Sequence, residues 1–129
     1  MSLISLPQDP APLAERLHDA FGVTPALIAD IVREVCRRLP LRAQAGKAAR
    51  IGQLIEIGAW TDAALAMIEL ELPQWHVRRI AYDDGEWHCA LSHVPELPDW
   101  LDDFVEGRHA DLALAILSAF VEARHGSLT

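Results

Sequence analysis

Five acidic and imidazole side chains in the last third of the chain have spacings that could hold a metal ion. They are Asp99, Asp102, Asp103, Glu106 and His109. Residues three and four positions apart share one face of a helix, and Glu106-x-x-His109 matches half of a di-iron helix pair. A complete site would need a second such pair on another helix, which the sequence lacks, and Gly107 is expected to end the helix before His109. We therefore expect a solvated acidic face here, with no metal and no cofactor.

A second group of candidate ligands lies on two predicted β-segments and contains His76, His88 and His93. Imidazole is a common zinc ligand, but the sequence has no CxxC or HxxxH spacing. The strand register predicted below places His76 and His88 on one face and His93 on the other, so solvent-facing histidines are the favoured interpretation. The candidate binding residues on this face are Arg78, Tyr82, His88 and His76, provided that they converge on a concave pocket.

Nucleophilic catalysis would need an exposed serine or cysteine beside an oriented base. Ser92 and His93 are adjacent on a predicted strand, so their side chains point to opposite faces. Cys36 and Cys89 each have apolar neighbours, which is typical of small buried hydrophobic residues in a reducing compartment. An enzyme is therefore less favoured than a binding protein.

Basic side chains are concentrated in residues 37–50, where no acid interrupts them. They are Arg37, Arg38, Arg42, Lys47 and Arg50. A basic helix–turn–helix could lie against a nucleic acid backbone. The net charge of −8 and the single amide side chain near these residues, Gln44, disfavour nucleic acid binding. We favour complementarity with the acidic C-terminal half, within one chain or between subunits.

Composition indicates one domain over residues 1–129, since a chain of this length buries enough surface for one core. Hydrophobic residues make up 51% of the sequence and include four tryptophans. Residues 1–10 lack the basic and apolar regions of a signal peptide, and the apolar stretch at residues 112–121 is about half the length of a membrane helix. We expect a cytoplasmic protein that does not contact membranes.

Helical periodicity dominates the first part of the chain. The predicted helices cover residues 10–21, 25–39, 42–57 and 61–72, and Thr24 and Thr61 are the expected N-caps of the second and fourth. A short apolar segment at residues 3–6 could add an edge strand. We divide the domain into an N-terminal helical part, residues 1–58, and a helix–hairpin–helix part, residues 59–129.

Two alternating segments, residues 75–82 and 86–94, predict a β-hairpin. Six apolar side chains on the two strands are odd-numbered, so they share one face only if the loop has an odd number of residues. A loop of Asp83, Asp84 and Gly85 meets this condition and pairs Ala81 with Trp87 and Val77 with Leu91. The predicted faces are Trp75, Val77, Ala81, Trp87, Cys89 and Leu91 on one side, and His76, Arg78, Tyr82, His88 and Ser92 on the other.

After the hairpin we expect a short helix over residues 98–107 and a last helix that is capped by Asp111 and ends near Gly126. The predicted fold is therefore α+β and mostly helical. N-terminal helices are followed by a helix, a β-hairpin, a short helix and a C-terminal helix, all packed on one core.

The C-terminal half resembles the phage ABA sandwich domains. The resemblance rests on three features: Thr61-Asp62-Ala63-Ala64-Leu65 at the start of a helix, Trp87 in the second strand, and residues 114–119 (LAILSA) in the last helix. It implies the same helix, hairpin, helix order. It implies no catalytic residues, and it does not cover the N-terminal helices.

An isolated hairpin is marginally stable in water and leaves both of its edges open to pairing. Together with the apolar excess, this predicts a small bacterial-type accessory or interaction protein that forms a homodimer or binds another protein. The expected contact is the hairpin edge or an apolar helix face. The alternatives are a nucleic acid accessory factor acting through residues 37–50, and a metal-dependent enzyme using the hairpin histidines or the acids of residues 99–109.

Overall fold

The computed structural model describes residues 12–37, 45–98 and 100–127. The described residues form five helices and three strands: α1 (Leu13–Asp19), α2 (Pro25–Val35), α3 (Ala45–Glu56), α4 (Trp60–Glu71), β1 (His76–Asp83), β2 (Glu86–Ser92), β3 (Val105–His109) and α5 (Leu112–Ser127). The strands make one antiparallel sheet in the order β1-β2-β3. The α+β, mostly helical prediction is confirmed. The predicted edge strand at residues 3–6 lies outside the described residues.

Two helices begin at the capping residues that the sequence predicts. The Thr24 hydroxyl accepts a hydrogen bond from the Leu27 N–H at 3.1 Å, and Pro25 occupies the first turn of α2. The Asp111 carboxylate accepts one from the Leu114 N–H at 3.0 Å. The predicted cap of α4 is wrong, because Ala59 occupies the N-cap position and Thr61 lies inside the helix.

The hairpin closes through two residues rather than the predicted three. Asp83 pairs with Glu86, and the turn residues Asp84 and Gly85 both have positive φ, 53° and 83°. Positive φ at both central positions defines a type I′ turn, whose twist matches that of the flanking strands. The residue pairs nearest the turn are therefore Tyr82 with Trp87 and Ala81 with His88.

A β-bulge between Val77 and Arg79 compensates for the shorter turn. The bulge inserts Arg78 as an extra residue, so Val77 still pairs with Leu91, as predicted. The predicted pairing of Ala81 with Trp87 is wrong, because that segment lies between the bulge and the turn. One consequence is that Tyr82 shares a face with Trp87 and lies on the opposite face from His88.

The predicted short helix over residues 98–107 is wrong. The Leu101 and Asp102 N–H groups both donate to the Pro98 carbonyl, which makes a single turn, and the chain then enters β3. β3 pairs with β2, with Gly107 opposite Cys89. The free edge of β2 thus takes a third strand in place of a helix.

Helix α5 lies at the centre of the fold. It contacts β3, β2, α4 and α1, and Leu114, Ile116, Leu117 and Phe120 are fully buried. A side chain added at Gly107 would point at the α5 backbone, so α5 covers the sheet face that carries Gly107 and Cys89. We call this the α5 face.

Replacing Gly85 with alanine is expected to lower the free energy of unfolding by about 1 kcal/mol, because a Cβ disfavours the left-handed backbone at this position. Urea unfolding measures the change. Asp84→Asn is the matched control and should be neutral or stabilising, since asparagine tolerates positive φ well. An unchanged stability for Gly85→Ala would contradict the type I′ turn.

Candidate functional site

The four candidate binding residues of the hairpin do not converge. His88 lies opposite Ala81 and His76 lies opposite Ser92, so the two histidines share a face as predicted. Their partner positions on β2 are four residues apart, which corresponds to roughly 13 Å along the strand. Tyr82 lies on the α5 face, where its ring contacts Trp87 edge-on with centroids 5.1 Å apart. The predicted placement of Tyr82 beside His88 is therefore wrong.

Arg78 makes contacts within the fold. Its Nη1 donates to the Pro95 carbonyl at 2.9 Å and to the Asp102 carboxylate at 2.7 Å, and its guanidinium lies 5.6 Å from the centre of the Phe104 ring. Both members of this ion pair are buried. The bulge residue thus holds the connection between β2 and β3 against β1.

The acids and histidine of residues 99–109 also separate, because β3 replaces the predicted helix. Glu106 lies opposite Ala90 and close to His88 (3.6 Å), whereas His109 lies opposite Trp87 on the α5 face. The buried His109 ring accepts a hydrogen bond from the Asp111 N–H at Nδ1, so Nε2 donates to the Ala20 carbonyl at 2.8 Å. Within the described residues, which omit Asp99, no group of three or more His, Cys, Asp or Glu side chains could hold a metal ion.

The predicted basic patch is only partly described, since Arg38 and Arg42 lie outside the described residues. The Arg37 backbone N–H donates to the Glu71 carboxylate at 2.6 Å. Lys47 and Arg50 are exposed on α3 and line a cleft of about 430 Å³ together with the α4 acids Asp62 and Glu69. Two of the basic side chains therefore lie across a cleft from carboxylates.

One buried ion pair was not predicted from the sequence. Arg124 on α5 donates to the fully buried Glu71 carboxylate at 2.7 Å, and it also donates to the carbonyls of Val35 and Glu71. The network connects the C-terminal ends of α2, α4 and α5. Glu71 follows Ala64 and Ile68 at seven- and three-residue spacing, so an acid on the apolar face of α4 was the available signal.

Both cysteines are buried, as the sequence predicts. Burial raises the pKa of the Cys36 thiol to about 12, with a further contribution from the nearby Glu71 carboxylate. Burial likewise raises the pKa of Cys89 to about 11. Neither thiol is a nucleophile near neutral pH, because the thiolate is the reactive form.

An exposed apolar surface remains on β1. Three β1 side chains point to the α5 face, opposite buried or partly buried residues of β2, but α5 packs over β2 and β3. Their exposed fractions are 40% for Val77, 38% for Ile80 and 59% for Tyr82. We call these three residues the β1 strip.

Within the described residues, β1 also forms an outer edge of the sheet. In the part of the chain that the structure describes, β1 has a strand neighbour on one side only. Asp83 and Glu86 flank a two-residue turn and exchange hydrogen bonds, so Asp83, Ala81 and Arg79 direct their backbone N–H and C=O groups toward β2. Ile80 and Tyr82 alternate with them and direct the same groups outward.

The β1 strip continues into a cleft beside α4. Val77 lines this cleft of about 530 Å³ together with Leu65, Ile68 and Trp75. Lys47 and Glu69 border both this cleft and the one between α3 and α4. The apolar surface thus extends from the edge of the sheet toward charged residues of α3 and α4.

Comparison of the chain with protein-family models, with curated proteins and with solved structures finds no match. The resemblance to phage ABA sandwich domains therefore stays a prediction. Among the described residues, none of the helices combines the length and the apolar character that a membrane span requires.

Proposed function

We propose that the protein is a small accessory protein that acts by binding other protein chains and that it self-associates through the β1 strip and the open edge of β1. The observation that carries this proposal is the coincidence of the two features: three exposed apolar side chains lie on a strand whose outer backbone groups have no strand neighbour among the described residues. Open edges accept a further strand, and large exposed apolar patches mark interaction sites.

The apolar helix faces are less suited to this role, because the fold has already covered them. The strongest apolar helix, α5, is buried around almost its whole circumference by the sheet, α1 and α4. Leu27, Ile28, Ile31 and Val35 of α2 are likewise part of the core. Among the described residues, the hairpin edge is therefore the better supported of the two predicted contact surfaces.

The edge of β1 carries little of the protection that isolated edge strands usually have. Proline and lysine, which commonly block pairing, are both missing from the β1 sequence HVRRIAYD. The bulge at Arg78 affects only the first part of the strand, and the charged side chains of Arg79 and Asp83 lie on the face opposite the β1 strip. Residues 79–83 remain a regular five-residue edge.

Replacing Ile80 with lysine is expected to weaken self-association about tenfold or more, because the interface would lose a buried apolar side chain and gain a charge. Light scattering after size exclusion and analytical ultracentrifugation across the micromolar range measure the effect. Ile57→Lys is the matched control, since Ile57 is 76% exposed and lies outside the sheet.

A protein that stays monomeric across this range would contradict the proposal. Equal weakening by Ile80→Lys and Ile57→Lys would exclude the β1 strip as the contact surface. Circular dichroism of both variants should match that of the parent chain, because both side chains are partly or largely exposed.

A further inference from the structure

We infer that the partner of β1 is β1 of a second copy of this chain, paired antiparallel about a two-fold axis that passes beside Ala81, so that two three-stranded sheets become one sheet of six strands. This inference rests on the proposed function and specifies the partner and the register. It follows from the backbone directions, the side-chain sequence and the charges of residues 79–83.

The backbone directions limit the register to a few choices. Two residues that lie directly opposite each other in an antiparallel pair must both direct their hydrogen-bonding groups toward the partner or both away from it. Ile80 and Tyr82 direct these groups outward, and Arg79, Ala81 and Asp83 direct them inward. The two-fold axis can therefore pass beside one residue of β1 but not between two residues. Within residues 79–83 this leaves Ile80, Ala81 and Tyr82 as possible centres of the pair.

The side chains favour the centre at Ala81. In that register Ile80 lies opposite Tyr82 of the other copy, which makes two apolar–aromatic pairs on the α5 face. Arg79 lies opposite Asp83 of the other copy, which makes two pairs of opposite charge on the opposite face. Aromatic–β-branched and opposite-charge pairs are the cross-strand combinations that stabilise antiparallel sheets.

The other two centres give poorer pairs. Centring on Ile80 places Arg79 opposite Ala81 and brings the bulge residue Arg78 into the ladder. Centring on Tyr82 places Asp83 opposite Ala81 and sets Ile80 against the turn residue Asp84. Neither arrangement pairs opposite charges.

The size of Ala81 also suits the position on the axis. With Ile80 and Tyr82 exchanging backbone hydrogen bonds, the pair of Ala81 residues is a non-hydrogen-bonded pair, where opposing side chains approach most closely. Alanine is the smallest side chain of β1. A guanidinium has five N–H donors, so Arg79 can donate to a carboxylate of the second copy in addition to its contacts within the chain.

The contact is short, so we expect a dimer in the micromolar range. Stable interfaces bury about 800 Å² on each partner. A five-residue strand pair with four large apolar or aromatic side chains, Ile80 and Tyr82 of each copy, contributes only part of this area. The α4 cleft beside Val77 is the adjoining surface that can add to it.

Disulfide cross-linking tests the register directly. Ala81→Cys, treated with diamide above the concentration at which the dimer forms, should run mostly as a covalent dimer, because opposing Cα atoms in a non-hydrogen-bonded pair lie within disulfide reach. Arg79→Cys alone should stay monomeric on the same gel, since its two copies would be four residues apart, roughly 13 Å. A mixture of Arg79→Cys and Asp83→Cys should cross-link.

The parent chain is the background control. Cys36 and Cys89 are buried, and their pKa values of about 12 and about 11 leave little thiolate to react, so the parent should not cross-link. Thermal unfolding of each reduced variant checks that it has folded.

The outcomes separate the register from the proposed function. A light-scattering dimer with no cross-link for Ala81→Cys, and none for the mixture, would overturn the register and leave the self-associating function standing. A parent chain that is monomeric at all concentrations would overturn both. Cross-linking of Arg79→Cys alone as efficiently as Ala81→Cys would also overturn the register.

Discussion

Gly107→Ala is expected to lower the free energy of unfolding by about 3 kcal/mol or more, because the added methyl group would overlap the backbone of α5. A Cβ at this position would overlap the Ala115 carbonyl oxygen and the Ala119 nitrogen of α5. Both atoms belong to a helix backbone that packs on β3 and β2, so neither can move without separating α5 from the sheet. Urea unfolding followed by circular dichroism measures the loss.

Gly52→Ala is the matched control. Gly52 lies in the exposed interior of α3, and a Cβ there meets no atom within 4 Å. This variant should gain up to about 1 kcal/mol, because alanine is a better helix former than glycine. If the two variants had similar stabilities, the close approach of α5 to β3 at Gly107 would be wrong.

Arg124→Met is expected to cost about 3–5 kcal/mol, because it removes the ion pair between Arg124 and the buried Glu71 carboxylate. The same change also removes the hydrogen bond to the Val35 carbonyl at the end of α2. The loss should appear as a lower midpoint in urea unfolding with an unchanged slope.

A double-mutant cycle separates the charge effect from the packing effect. Glu71→Leu combined with Arg124→Met should cost much less than the sum of the single changes, because the pair is removed without leaving a buried charge. Additive losses would contradict this interpretation of the network.

Arg33→Met is the matched exposed control for Arg124→Met. Arg33 is exposed and pairs with Asp30, whose pKa is lowered first by its hydrogen bond from Arg16 and then by that from Arg33. Exposed ion pairs contribute little, so this variant should cost far less stability than Arg124→Met. A stability loss as large as that of Arg124→Met would contradict the interpretation that the buried ion pair contributes much more than the exposed one.

The helix starts at Thr24 and Asp111 could be predicted because capping is local. A hydroxyl or carboxylate three residues before an unpaired N–H is sufficient to stabilise the first turn, whatever the rest of the fold does. The same reasoning failed at Thr61. α4 begins one residue earlier, at Trp60, with Ala59 as its cap, so the start of this helix does not depend on a side-chain cap.

The hairpin shows how a correct pattern can give an incorrect register. For Val77 and Leu91 to share one face, the residues of the loop and of any bulge must together be odd in number. A three-residue loop meets this requirement. A two-residue turn plus one bulged residue meets it equally well, and the chain uses this second solution. The difference affects residues 79–83, which include Tyr82 and the segment that forms the open edge.

The strand β3 could not be predicted from its own sequence. Residues 98–106 have apolar and acidic side chains at helical spacing, but local propensity is weak beside the hydrogen bonds that the free edge of β2 offers. Gly107 was interpreted as a helix stop. In the fold its absent side chain is what allows α5 to lie against the sheet.

The sequence by itself determined the α+β content, the capped starts of α2 and α5, the burial of both cysteines and the existence of a hairpin with an apolar face. These properties depend on capping, periodicity and turn chemistry, which act over a few residues. Only the tertiary structure decided which apolar surface stays exposed, because exposure depends on which elements pack on which. Helix α5 packs on β2 and β3, whereas Val77, Ile80 and Tyr82 on β1 stay exposed. The candidate contact surface is therefore the part of the sheet that α5 does not cover.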